Sequence, residues 1–240
     1  MSLANASELI SSWIANGGSL DATNISIIQG NASDIESLYT SSGITGLGNE
    51  DITLFYSIPT AALLKRLDNY TSGTINAQYL TTIKGKASDL IVIYSSPGIS
   101  GLGNEAINIT NGTATTSQAN ILAAATTGKL TATISDGDMM TLNNITEVGN
   151  NLDMTVSDAI VSAAELHALN TSTYGVINAS SVNIITGKSW EINNVYIHGA
   201  GGNITGLGNE VLILSDNTIG AAELKTLDTF TTGIINASNI

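Results

Sequence analysis

An octapeptide that recurs almost unchanged constrains this chain more than any other feature. Gly43-Ile-Thr-Gly-Leu-Gly-Asn-Glu50 returns 55 residues later as Gly98-Ile-Ser-Gly-Leu-Gly-Asn-Glu105, and again as Asn203-Ile-Thr-Gly-Leu-Gly-Asn-Glu210. A second signature, Gly-x-(Ile/Leu)-x-Ala, falls at 18–22, 73–77, 128–132, 175–179 and 233–237, at spacings of 55, 55, 47 and 58 residues. A period of about 55 residues predicts an array in which each repeat buries its apolar face against its neighbours.

Each repeat reads as two coils, a coil being one strand and one helix. Strands are expected at 20–25, 52–55, 75–80, 106–109, 130–134, 152–156, 176–182, 211–214 and 234–240. Helices are expected at 7–15, 32–39, 61–68, 87–94, 118–125, 138–145, 163–170, 189–196 and 221–228. Leu63/Leu67, Leu166/Leu169 and Leu224/Leu227 lie three or four residues apart, which gives each helix one apolar face. Ser162-Ala-Ala-Glu165 has the form of a capping box, and Asn5-Ala-Ser-Glu8 and Asn31-Ala-Ser-Asp34 follow it with Asn at the cap. Thr60 and Gly220 head the same kind of start.

The expected fold is α/β: one solenoid domain over residues 1–240, with about nine strand–helix coils. One parallel sheet would line one side and helices the other, as in leucine-rich repeats. A right-handed parallel β-helix with helical corners is the alternative. Residues 136–158 lack the Gly-Leu-Gly-Asn-Glu sequence and read as a degenerate coil.

Composition removes several functions. Seven basic against twenty acidic residues leave no basic stripe for nucleic acid or an anionic membrane surface. Cysteine is absent, so disulfides, thiol nucleophiles and cysteine-held zinc are excluded. No apolar run reaches the ~20 residues of a membrane span, and residues 7–14 do not form a signal peptide. The chain therefore reads as a soluble fragment or mature product.

Ser162-Ala-Ala-Glu-Leu-His-Ala-Leu169, Thr71-Ser-Gly-Thr-Ile-Asn-Ala77 and Gly98-Ile-Ser-Gly-Leu-Gly-Asn-Glu105 resemble the tandem repeats of very large surface or secreted proteins of marine cyanobacteria and related aquatic bacteria. The resemblance spans most of the chain apart from the degenerate middle. It implies an extracellular or cell-surface setting and a structural, adhesive or matrix role, and it carries over no catalytic residue.

The candidate sites are few. Gly46-Leu-Gly-Asn-Glu50 and its copies lack the Lys and hydroxyl of a phosphate loop and read as turns with glycines at positive φ. No motif calls for a cofactor. If an ion binds it is calcium, for which Glu50, Asp51, Glu105, Asp136, Asp138 and Glu210, with Asp153, supply oxygen near turns, although no EF-hand or Gly-Gly-x-Gly-x-Asp repeat is present. His167 and His198, the only histidines, build no metal cluster or triad; His167 reads as facing solvent where other copies have Lys65 or Lys225, and His198 precedes a Gly-rich loop. Trp13 and Trp190 read as fillers between layers. Asp21, Asn76, Thr131, Asn178 and Asn236 form an expected outward row, a flat polar face for glycan, mineral or ice. Eleven Asn-x-Ser/Thr sequons, several inside the repeat, raise glycosylation.

The leading expectation is an extracellular structural repeat protein that self-associates through its solenoid ends or continues a longer array. An adhesin using the polar row comes second. A polysaccharide-acting enzyme comes last, because most acids occupy repeated positions and basic groups are scarce.

Overall fold

The computed structural model describes residues 3–55 and 57–238. Short strands alternate with short helices, and the strands pair in parallel. Two compact units divide the chain: Met1–Gly112 with Ile121–Leu130, and Thr113–Asn120 with Thr131–Ile240.

The first unit contains β1 (Leu3–Asn5), α1 (Ala6–Ala15), β2 (Leu20–Asp21), β3 (Ile27–Gly30), α2 (Ala32–Thr40), β4 (Ile44–Thr45) and β5 (Asp51–Leu54). It continues with α3 (Ala61–Tyr70), β6 (Ile75–Asn76), β7 (Thr82–Gly85), α4 (Ala87–Ser95), β8 (Ile99–Ser100) and β9 (Ala106–Ile109). Next come α5 (Thr116–Ala125) and β10 (Leu130–Thr133), which have residues in both units. The second unit adds α6 (Met139–Leu142), β11 (Asn151–Thr155), β12 (Ile160–Ser162), α7 (Ala163–Ser172), β13 (Ile177–Asn178) and β14 (Ile184–Gly187). It closes with α8 (Ser189–Ala200), β15 (Ile204–Thr205), β16 (Val211–Leu214), α9 (Ala221–Asp228) and β17 (Ile235–Asn236).

All nine expected helices are present, α6 as a single turn. Each expected strand is present in whole or part, as β2, β5, β6, β9, β10, β11, β13, β16 and β17, and the others were not expected. Most helices carry a strand on either side, so the chain forms several short parallel sheets instead of one. The strands entering the helices, such as β1, β3 and β14, are three or four residues long and run straight into a cap, too short to show alternation. The expected strand 234–240 is β17, and its residues 239 and 240 lie outside the described residues.

Each pairing places apolar side chains in register. Ile28 pairs with Ile52 and Ile52 with Ile75, and all three are fully buried. In the second unit Ile185 pairs with Leu212 on the same terms. Leu64 and Leu67 of α3, and Leu166 and Leu169 of α7, turn the helix stripes inward. Burial of each such side chain is worth about 1.5–3 kcal/mol, which these short helices need because none would persist alone.

The caps are partly as expected. Asn5, Asn31 and Thr60 accept from backbone N–H groups of the first turn, but Ser162 makes no side-chain cap bond. Trp13 packs half-buried over Gly18, whereas Trp190 is exposed rather than filling a gap between layers.

Gly73, Gly128, Gly175 and Gly233 explain the leading glycine of the second signature. A Cβ on Gly73 would stand 2.3 Å from the Glu50 carbonyl oxygen, and the other three meet a carbonyl at the same range. The requirement is close approach to the neighbouring coil. Gly73→Ala should therefore lose about 1–3 kcal/mol in urea unfolding. Gly220→Ala, at a site with nothing within 4 Å, should change stability by only about 0.5 kcal/mol or less, since the poorer N-cap is offset by the lower entropy of the unfolded chain.

Candidate functional site

The repeated octapeptide builds the most ordered polar arrangement in either unit. Gly46, Gly101 and Gly206 take φ of 84°, 80° and 85°, as the turn reading expects. Each also lies on the strand exit of the preceding coil, where a Cβ would come within 2.5 Å of Thr23 N, 2.8 Å of Gln78 N and 2.6 Å of Ser180 N.

The acid that ends the octapeptide is fully buried. Glu50, Glu105 and Glu210 are at most 1% exposed. Both Glu50 carboxylate oxygens accept from the Gly48 N–H at 2.9 Å, and Oε2 also accepts from the Tyr39 hydroxyl at 2.7 Å. Glu210 accepts from Gly208 N–H at 3.0 and 2.9 Å and from the Tyr196 hydroxyl at 2.6 Å. Glu105 accepts from Gly103 and Asn104 N–H and from the Tyr94 hydroxyl.

The backbone carbonyl of the same acid reaches the next coil. Thr71, Thr126 and Thr231 donate their hydroxyls to Glu50, Glu105 and Glu210 carbonyls, each at 2.7 Å. Each hydroxyl then accepts from the N–H of Gly73, Gly128 or Gly233. Beside the degenerate coil half of this survives: Thr173 donates to the Leu152 carbonyl and accepts from Gly175 N–H, with Leu152 in the place of the acid.

Burial first, and the adjoining carboxylate second, push the Tyr39, Tyr94 and Tyr196 phenols well above the ordinary range. Tyr39 stacks on Tyr70 at 5.4 Å between ring centroids and Tyr196 on Phe230 at 5.1 Å. The sequence reading missed these tyrosines and threonines. A constant offset was there to be found, since Tyr39/Glu50 and Tyr94/Glu105 are both 11 residues apart.

The five residues of the expected outward row are spread over four sheets. Asp21 lies in β2–β4, Asn76 in β1-β3-β5-β6-β8, Thr131 and Asn178 in the run β10-β11-β13-β15, and Asn236 in β12-β14-β16-β17. All but the half-buried Asn76 are exposed. Four of them close turns, with Asp21, Asn76, Asn178 and Asn236 side-chain oxygens accepting the N–H two residues on at 3.0–3.1 Å. The Thr23 hydroxyl and N–H hold the Asp21 carboxylate below its usual range.

The other expected calcium ligands are also engaged singly. Asp51 accepts from Thr74 N–H, Asp136 from Thr116 N–H and Asp153 from Val176 N–H, while Asp138 caps α6. Among the described residues no three acids or histidines are grouped to hold a metal ion. Since calcium takes six or more oxygens, these separate and already bonded carboxylates do not make a cradle for it.

His167 is half-buried, not solvent-facing, and its ring packs tilted against His198 at 5.2 Å between centroids. No described helix is long and apolar enough to cross a membrane. Comparison with known protein families, curated proteins and solved structures gives no match.

The buried phenols should weaken the fold at alkaline pH. Their folded pKa values lie above the unfolded value of about 10, so their contribution is fully present below pH 10. It is lost as pH rises through the folded values. Titration of tyrosinate absorbance should show these three phenols ionising late, together with unfolding, and all seven tyrosines ionising together while the chain stays folded would contradict this. At neutral pH, Tyr94→Phe should lose about 1–3 kcal/mol, because Glu105 stays buried with one donor fewer.

Proposed function

We propose that this chain is a structural repeat protein of the cell surface or extracellular matrix, a solenoid of strand–helix coils that acts as a scaffold rather than a catalyst. One observation carries the reading. The acids that end the octapeptides are turned inward, and with their tyrosine and threonine partners they hold adjacent coils together. Glu50, Glu105 and Glu210 each bind their own loop, a tyrosine and a threonine from the following coil. A catalytic or ligand-binding centre keeps convergent polar groups free for its substrate, whereas here the repeated acids are used by the fold.

The extracellular setting rests on the resemblance to giant surface and secreted repeat proteins, and on a net charge of −13 that favours a dispersed, hydrated surface. An antibody raised against the chain should label unpermeabilised cells of the source organism or the matrix around them. Labelling only after permeabilisation would overturn the localisation.

A further inference from the structure

The chain's two histidines meet where α7 packs on α8, inside the second unit. Their ring centroids stand 5.2 Å apart, with the planes tilted by 31°. Both side chains are half-buried, so the pair stays within reach of solvent. Nδ1 of His167 is nevertheless shut off from solvent and has no hydrogen-bond partner. One turn further along the same face of α7, Asn170 is 6% exposed, and its Oδ1 is also buried without a partner. An unpaired buried polar atom destabilises a fold, so two of them on one helix face call for a ligand that engages both.

In the first unit the protein closes the corresponding place by itself. Lys65 and Asp68 stand five and eight residues after the cap Thr60, as His167 and Asn170 stand after Ser162. On the facing helix α4, Ser96 follows Tyr94 by two residues, as His198 follows Tyr196 on α8. The Ser96 hydroxyl donates to Asp68 at 2.7 Å, and Lys65 pairs with Asp89 at 3.2 Å. In the second unit Glu191 has the place of Asp89 but accepts from Lys188 N–H at 2.8 Å, and Asn170 and His167 are left over.

An insertion accompanies the change. Tyr196 and Glu210 are 14 residues apart, against 11 for Tyr39/Glu50 and Tyr94/Glu105. Accordingly α8 runs for 12 residues against nine for α2 and α4, so His198 lies within the helix where Ser41 and Ser96 cap theirs. These departures from the repeat converge on one spot, and the side chains they bring there are metal ligands by type.

We propose that His167 and His198 hold a divalent transition-metal ion of the zinc type, with the Asn170 amide oxygen as third donor and water completing the shell. Two imidazoles bound to one tetrahedral ion at about 2.0–2.1 Å keep their ring centres about 5 Å apart, as this pair already does. Imidazole nitrogen suits zinc, copper or nickel, whereas calcium seeks carboxylate and carbonyl oxygen. A net charge of −13 favours the approach of any cation. The site is independent of the scaffold reading, which would stand with or without it.

Calorimetric titration of the whole chain with zinc chloride tests it. One ion per chain should bind, and excess calcium should not displace it. His167→Lys and His198→Ser install the residues that α3 and α4 carry, so both variants should fold, which circular dichroism checks. Each should weaken zinc binding by more than about tenfold, since loss of a group merely behind a metal ligand already costs about 10–100-fold. His198→Gln, closer in size, should show the same loss. Asn170→Asp should tighten binding severalfold, because a carboxylate replaces an amide oxygen, and a purely structural Asn170 would not give this gain. Glu8→Gln, which removes an exposed acid in the first unit, should leave the affinity unchanged. No binding by the unaltered chain, binding that survives either histidine substitution, or displacement by calcium would overturn the proposal.

Discussion

A carboxylate removed from water must be surrounded by donors or it destabilises the fold by several kcal/mol. The three copies of Glu50, Glu105 and Glu210 meet this demand by drawing in what lies around them. A glycine N–H closes the loop, a tyrosine comes down from the preceding helix, and a threonine hydroxyl from the following coil takes the backbone carbonyl. One buried acid thereby fixes the loop shape, the helix position and the contact to the next coil. Both units use the same device, so their local geometry agrees although their sequences diverge elsewhere.

The same loop explains why the sheets are short. In the first unit β4 extends the ladder from β2, the loop 46–50 follows, and pairing resumes on its far side as β5 with β6. Each octapeptide steps the ladder from the strand before the loop to the strand after it. Where the octapeptide is missing, in the second unit, the ladder runs on from β10 through β11 and β13 to β15, and stops only at Gly206-Leu-Gly-Asn-Glu210. The degenerate coil is thus the place where the sheet is not interrupted.

Helices were legible because an apolar stripe such as Leu63/Leu67 and a start such as Asn31-Ala-Ser-Asp34 are local signals. Turn glycines were legible because they repeat. Apolar strands such as 106–109 and 211–214 were legible too, but Ile44–Thr45 was not, since pairing rather than pattern defines it: it is a strand because Leu20–Asp21 lies beside it. The acids illustrate the limit best. Exposed oxygen ligands and buried structural carboxylates look alike in a sequence, and only the placement of Tyr39, Tyr94 and Tyr196 separates them.

The sequence by itself determined the period, the helices, the turns and the exclusion of cysteine and basic-patch chemistry, because each follows from residue type and nearby spacing. Tertiary structure decided which strands pair, where each ladder changes strands, and that Glu50, Glu105 and Glu210 face inward. It also brought His167 to His198 and dispersed Asp21, Asn76, Thr131, Asn178 and Asn236 over four sheets. These outcomes depend on contacts between residues from 11 to more than 20 apart along the chain, which form only when helix, loop and neighbouring coil are laid against one another.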